Sequence, residues 1–328
     1  MNSSELEPII AIVGPTASGK SALSMALVEE AKSTLGIQLE IISMDSALVY
    51  KGMDIGTAKP SLQERSLVAH HGIDICDPWE SYSAANFAND THRWIREIRD
   101  RGNVPIIVGG TMLYWRALTQ GLTNLPPADP QLREDLENEA KEIGWEGLHR
   151  RLCELDPVTG QRLHPSDTQR IERALEVILL TGKPLSELIA ENPYGESRDE
   201  AKIAHTLISL EPEDRSWLHE RIALRFKEML DAGFLNEMNR LINHPAIHAE
   251  LPSMRAVGYR QAWEYLAQKI SYDEFVDKGI AATRQLAKRQ LTWLRAMPSR
   301  QVYDPSNPEK MKAALNAALH AIQVNVIK

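Results

Sequence analysis

Gly14-Pro15-Thr16-Ala17-Ser18-Gly19-Lys20-Ser21 fills every fixed position of the GxxxxGK[ST] phosphate-loop pattern. Its flanks constrain the fold. Ile9-Ile10-Ala11-Ile12-Val13 is a short continuous apolar run, suited to a strand buried on both faces. Leu23, Leu27, Ala31 and Leu35 then recur at every fourth position as a helix stripe, and Gly36 offers its stop. Strand, glycine loop and helix therefore occupy residues 8–36. Glycines let main-chain N–H groups turn inward around an anion, and the helix start adds free donors and partial positive charge. Lys20 is expected at the terminal phosphate and Ser21 on Mg²⁺. The loop predicts a diphosphate or triphosphate ligand without choosing between them. No [NT]KxD segment of a guanine reader accompanies it.

The rest of the chain predicts an α/β fold: a P-loop NTPase-like parallel sheet flanked by helices, with an all-helical insertion domain. Apolar runs at 39–43 and 104–108 lead into Met44-Asp45-Ser46 and Gly109-Gly110-Thr111. A helix is predicted over 83–100, and a fourth strand over 204–210. The texture changes at the turn-rich Thr123-Asn124-Leu125-Pro126-Pro127. Helical patterns then follow without strands at 130–143, 145–155, 167–181 and 184–191, and Asn192-Pro193-Tyr194-Gly195 begins the return. The expected domains are 1–122 with 201–328, and an insertion at 123–200. From Ser216 onward every segment reads as helical: 216–232, 234–243, 256–268, 273–296 and 308–323. The last shows Met311, Leu315, Leu319 and Ile322 on one face.

Hydrophobic residues at 43% and charged residues at 25% are those of an ordinary globular protein. The formal net charge of −8 argues mildly against a nucleic-acid partner, so any RNA site must be a local basic path. Cys76 and Cys153 are the only cysteines and form neither a disulfide framework nor a zinc pattern, which suits a reducing cytoplasm. The start MNSSELEP lacks a signal pattern, and no apolar run approaches the ~18 residues of a membrane span. His70-His71 lacks a third ligand and reads as structural.

In open α/β sheets, functional groups gather at the carboxyl ends of strands, where Asp45 is expected. Position alone allows a helix N-cap, a Mg²⁺ ligand through water, or a catalytic carboxylate. The stretch Ser43–Pro60, reading SMDSALVYKGMDIGTAKP, resembles the SxDSxQVYxxMDIGTAKP signature of the tRNA dimethylallyltransferases, also called tRNA isopentenyltransferases. Gly14–Ser21, His70–Asp74, Val108–Tyr114, Val257–Gln261 and Thr283–Trp293 resemble further segments of that family, in family order across almost the whole chain. Ala47-Leu48 departs from the Met-Gln of many members, so no glutamine contact to the base carries over to Leu48. No zinc-finger extension follows residue 328, as in the bacterial type.

The resemblance implies transfer of a dimethylallyl group from dimethylallyl diphosphate to a tRNA adenosine. The acceptor is the exocyclic amine of the residue 3′-adjacent to the anticodon, and diphosphate is released. Gly14 through Ser21 would then hold the donor's diphosphate, with Mg²⁺ on Ser21. Asp45 would accept the amine proton and Thr16 would meet the bridging oxygen. Arg221 would clamp the diphosphate, although its spacing alone favours a solvated helix charge. Asp45, Ser46, Ala47, Leu48 and Thr111 would line the base end. The tRNA anticodon stem-loop would meet Arg133; Gln169, Arg170, Ile171, Glu172 and Arg173; Arg255, Ala256, Val257, Gly258, Tyr259 and Arg260; and Arg284, Lys288 and Arg289. From pattern alone, 283–296 is an ordinary amphipathic surface helix. Tyr259, Trp263 and Trp293 offer rings for base stacking, with core packing expected of the tryptophans. A cytoplasmic monomer is expected, with no membrane partner. A small-molecule kinase and a noncatalytic RNA binder with a nucleotide-controlled grip are the competing readings.

Overall fold

The computed structural model describes residues 8–191, 205–297 and 299–326. In chain order the first elements are β1 (Ile9–Val13), α1 (Lys20–Glu30), β2 (Leu39–Met44), α2 (Leu62–Leu67), β3 (His70–His71), α3 (Ala84–Asp100), β4 (Val104–Gly109) and α4 (Met112–Gln120). Next come α5 (Pro130–Leu155), α6 (Pro157–Arg162), α7 (Thr168–Thr181), α8 (Leu185–Glu191) and β5 (His205–Leu210). The chain continues through α9 (Arg215–Asp231), α10 (Phe234–Ile242), α11 (Tyr259–Leu266), α12 (Tyr272–Arg295), β6 (Arg300–Tyr303) and α13 (Pro308–Val326). They fall into two compact units, Met1–Thr119 with Lys202–Lys328, and Gln120–Ala201. The return expected at Asn192–Gly195, and Ala204 of the predicted fourth strand, lie outside the described residues.

The first unit is built on one six-stranded sheet in the order β3-β2-β4-β1-β5-β6. Every strand pair is parallel. β1 lies inside the sheet, and its five residues are all buried, which is why that segment is apolar throughout. The register aligns the strand ends: Val13 pairs with Gly109 and Ser209, and Met44 pairs with Gly109. Gly14, Asp45 and Gly110, the next residues along, therefore emerge at one edge. Gly109 permits this, since a Cβ there would lie 2.0 Å from the Met44 carbonyl oxygen.

Apolar residues of β1, β2, β4 and β5 pack with Leu23 and Leu27 of α1, with Ala31 just after it, and with Ala314, Ala318 and Ile322 of α13. The predicted face of α13 is thus turned slightly: Met311, Leu315 and Leu319 are only partly buried against this core. A second core gathers Met53, Phe226, Phe234, Tyr259 and Phe275 among the helices from α9 to α12. Gly279 lets α12 approach, because a Cβ there would lie 2.3 Å from the Phe226 ring.

Two expectations change. Residues 300–303 form β6 on the sheet edge rather than continuing a run of helices. Residues 256–258 precede α11, which begins at Tyr259 behind Gly258 at φ 91°. His70-His71 is a short strand beside β2. There the His71 ring donates to Glu40 at 2.6 Å, so the pair is structural. Burial works against the Glu40 carboxylate, but hydrogen bonds from Arg101, Asn103 and His71 outweigh it and bring its pKa down to about 2.

The second unit is all helical. Gly144, at φ 75° and ψ 161°, breaks α5 into the two helices that the sequence predicts. Leu136, Leu148, Leu152, Ile171, Leu175 and Ile178 form its core. Glu176 is fully buried and accepts from Arg133 through both oxygens, from the Asp129 amide at 2.8 Å, and from Arg173. Cys153 is half-buried here, whereas Cys76 is buried in the first unit. Among the described residues, no helix is long and apolar enough to cross a membrane.

Candidate functional site

The carboxyl edge of the sheet opens into a pocket within the first unit. Its walls include Thr16, Lys20, Ser21, Asp45, Leu48 and Arg225. The phosphate loop is held from several sides. A Cβ on Gly14 would stand 2.7 Å from both the Leu210 carbonyl oxygen and Ser18 Oγ, so only glycine fits there. Gly19 takes φ 91° at the start of α1, whose N-terminus has no side-chain cap. Its first amides are therefore left for an anion. Ala17 at φ 62° completes the tight turn. Pro15, Ala17 and Ser18 are buried within the loop, while Thr16 is half-buried and Ser21 exposed.

Lys20 Nζ donates to the Pro15 carbonyl at 2.6 Å. Burial lowers its pKa and the Arg225 charge lowers it further; Asp45 opposes them, leaving it at about 7. Arg225 is itself shifted down, by burial first, with Asp45 pulling the other way. Two cations and one carboxylate thus sense one another in one pocket. A diphosphate bound here would favour the charged form of Lys20. Binding above pH 7 should therefore draw in a proton, and donor affinity should fall as pH rises through 7. Calorimetry at pH 8 in buffers of differing ionisation enthalpy reads that uptake directly. Binding without proton uptake at pH 8, or with uptake unchanged in Lys20→Arg, counts against it.

Asp45 follows β2 and is half-buried. Its Oδ1 accepts from the Ala47 amide at 2.8 Å, so it also fastens the turn. The amides of Gly110 and Thr111 donate to the Met44 carbonyl at 3.1 and 3.2 Å. Thr111 Oγ1 accepts from the Ser46 amide at 3.0 Å. The expected base-side residues 45–48 and Thr111 are thus one connected corner, with Ser46 exposed and Asp45, Ala47 and Leu48 on the pocket wall.

Arg221 is set differently from the expected clamp. Its Nε donates to the Ala17 carbonyl at 2.9 Å and its guanidinium lies 4.9 Å over the Trp217 ring. It supports the phosphate loop but is not part of the pocket wall. Arg225, one helical turn on, occupies that wall with Ile222, Phe226 and Met229. The buried stripe Leu218, Ile222, Phe226 was the available sequence signal, since it carries Arg225 beside it.

Two further residues were missed. Glu237 of α10 is 1% exposed. Its carboxylate accepts from the amides of Asp54, Ile55 and Gly56 at 2.8, 2.7 and 3.1 Å and from Tyr259 Oη at 2.5 Å. It thereby shapes the segment whose Gly56, Thr57 and Ala58 line the pocket. Gln290 of α12 reaches Thr16 and Gly110.

The expected RNA-facing residues divide by burial. Arg284, Lys288 and Arg289 are exposed on α12. Arg255 pairs with Glu250, and Arg260 lies 3.5 Å from Glu264. Ala256 and Val257 are half-buried pocket residues, and Gly258 is buried at the helix start. Tyr259 is fully buried, edge-on to Phe234 at 5.0 Å, and burial and the Glu237 charge raise its pKa. It does not stack on a base. Trp263 is half-buried, whereas Trp293 is 39% exposed and so not a core residue. In the helical unit Gln169 and Arg170 are exposed, and Arg170 meets Asp167 at 2.9 Å. Glu172 is half-buried, and Arg133 and Arg173 are half-engaged by Glu176. Ile171 is fully buried, so its side chain touches no ligand.

Residues 48–297 match the family described as IPP transferase. The chain is 52% identical over 318 residues to a tRNA dimethylallyltransferase of Polynucleobacter asymbioticus, covering 96% of this chain and 95% of the relative. A Burkholderia thailandensis protein of the same description is 52% identical, over 96% of this chain and 95% of the relative. Among solved structures, the tRNA isopentenylpyrophosphate transferase of Bacillus halodurans aligns with a TM-score of 0.67 at 34% identity, covering 97% of this chain and 98% of that one. A eukaryotic dimethylallyltransferase acting on tRNA aligns at 0.74 and 27% identity, over 97% of this chain and 78% of that one.

Proposed function

This chain belongs to the IPP transferase family, and on that premise we propose how its pocket does the work of a tRNA dimethylallyltransferase. The reaction transfers a dimethylallyl group to the exocyclic amine of the adenosine 3′-adjacent to the anticodon and releases diphosphate. The donor is dimethylallyl diphosphate, with its anionic end on Gly14–Ser21. Leu48, Ile222, Phe226, Met229 and Leu286 line the same pocket and offer its five-carbon tail an apolar wall.

The observation that carries this reading is the company of Asp45: a carboxylate sharing one pocket with Lys20, Arg225 and the uncapped start of α1. The adenine amine is a weak nucleophile because its lone pair is delocalised into the ring. As it bonds to the allylic carbon, the carbon–oxygen bond breaks and its electron pair leaves with the diphosphate. The loop amides, Lys20 and Arg225 stabilise that growing charge. Thr16 meets the bridging oxygen, and Asp45 takes the proton from the amine. Arg225 on the pocket wall joins the clamp expected of Arg221, which also braces the loop through Ala17.

Among the described residues no group of three or more His, Cys, Asp or Glu could hold a metal ion. Ser21 and Asp45 nevertheless put hard oxygens on the pocket wall. That set fits Mg²⁺, which commonly takes one or two protein oxygens and completes its shell with water and phosphate. Ser21 would hold it beside the donor, where it would supply positive charge to the leaving diphosphate.

The partner is the tRNA anticodon stem-loop, with its target base splayed out to reach the donor. Arg284, Lys288 and Arg289 are exposed cations of the first unit suited to its phosphates. A tRNA substrate supports a cytoplasmic location. The expected state is a monomer.

Incubation with labelled dimethylallyl diphosphate and unmodified tRNA tests the reading. Label should enter the RNA, and nucleoside mass spectrometry should find it on the adenosine beside the anticodon. ATP consumption without labelled RNA would establish a kinase instead.

A further inference from the structure

Gln290 lies deep in α12 with 9% of its surface exposed. Its Oε1 accepts from the Thr16 amide at 2.8 Å, and its Nε2 donates to the Gly110 carbonyl at 3.0 Å. These partners belong to different loops, one after β1 and one after β4. Both ends of the side-chain amide are used, so its orientation is fixed. A flipped amide would oppose donor to donor and acceptor to acceptor. Gly110 makes the approach possible, because a Cβ there would stand 2.5 Å from Gln290 Nε2.

The contact continues on both sides. Ala287 and Leu291, flanking Gln290 on its helix, pack with Ala17, Leu218 and Ile222 and hold α12 against the phosphate loop. Beyond Gly110, Thr111 receives the Ser46 amide next to Asp45. A continuous bonded path therefore runs from Thr16, at the donor end, through Gln290 to the corner that holds Asp45.

We propose that Gln290 is a positioning residue for prenyl transfer, setting the phosphate loop and the base-side corner at the separation that the displacement requires. The inference rests on the reaction assigned above. Attack on the allylic carbon needs donor and amine aligned, and a displacement of about 1 Å costs on the order of 10²-fold in rate. A side chain bonded to both loops is placed to control that separation. Its loss should fall on kcat, with tRNA affinity preserved, because the side chain is buried and both ends of its amide are bonded to the two loops rather than offered at the surface.

Two substitutions test this. Gln290→Ala should retain the wild-type circular dichroism spectrum and tRNA Kd within about twofold, and lower kcat by ~10–100-fold. Gln290→Glu keeps an acceptor for Thr16 but sets carboxylate oxygen against the Gly110 carbonyl. Its protonated form can donate there again. The ratio of Gln290→Glu to wild-type kcat should therefore climb as pH falls from 8 to 5.5, a response that a merely space-filling residue would not give. If Gln290→Ala does not fold, the pH ratio of Gln290→Glu decides. Unfolding of both variants assigns Gln290 to the core and overturns the proposal. So does a kcat within threefold of wild type in both, or a flat pH ratio. Absence of transfer by the wild-type protein sinks the reaction itself; transfer by wild type that the variants match sinks Gln290 alone.

Discussion

Replacing Asp45 with alanine should slow prenyl transfer by ~10²–10⁴, the scale of a lost general base, while tRNA affinity stays nearly unchanged. The argument is chemical before it is structural. The amine gives up a proton as the new carbon–nitrogen bond forms, and Asp45 is a carboxylate that shares a pocket wall with the phosphate loop, whereas Glu64 on the same wall is tied to Ser61. Alanine also removes two other things: the acceptor for the Ala47 amide and the negative charge that partly offsets Lys20 and Arg225. Asp45→Asn separates these effects. An asparagine oxygen can still accept from Ala47, so the turn survives, yet the side chain cannot take the proton. Single-turnover rates with saturating donor should place the asparagine variant near the alanine variant. A near-wild-type rate for Asp45→Asn would leave Asp45 as a turn-fastening residue only.

Sequence reasoning reached the parts of this molecule whose determinants are contiguous. β1 and β4 are near-continuous apolar runs, and β2 and β5 centre on the apolar pairs Ile41-Ile42 and Leu207-Ile208, because parallel strands covered on both faces demand them. The phosphate loop and Asp45 were legible for the same reason: strand, turn and functional side chain are neighbours along the chain. The edge elements were not. β6 is four residues at the sheet margin, with Gln301 and Val302 exposed, and it carries no continuous apolar run. α2 turns Leu62 and Leu67 outward, so it shows no helix stripe. The site residues missed share one property: their partners are remote. Glu237 bonds to an amide 183 residues away and Gln290 to one 274 residues away. Burial also cut across spans that resemblance treats as units. Ile171 and Tyr259 sit within expected RNA-contacting segments but point into cores, because a helix turns successive side chains to different sides.

Glu237→Ala should destabilise the first unit by about 3–5 kcal/mol, the scale of breaking a buried charged network. The carboxylate gathers four donors: three consecutive main-chain amides and the Tyr259 hydroxyl. Alanine strands the Tyr259 hydroxyl in the interior and leaves three part-buried amides without their acceptor. Gly56 cannot shift freely to find new partners, since even a Cβ there would stand 2.2 Å from the Phe234 ring. Tyr259→Phe removes one of the four donors and should cost only about 1 kcal/mol. Glu237→Gln should fall between them, because its amide nitrogen must face at least one donor. Urea unfolding with unchanged m-values would read this order as a graded fall in midpoint. If Glu237→Ala and Tyr259→Phe unfold at the same urea concentration, the three amides contribute nothing. The segment carrying Gly56, Thr57 and Ala58 is then held by the Lys59 contacts with Asp54, Asp74 and the Tyr50 carbonyl instead. The distinction matters for function because the same three residues wall the pocket. A destabilised Glu237 variant should also bind donor more weakly, whereas a Gln290 variant should bind it and fail to align it.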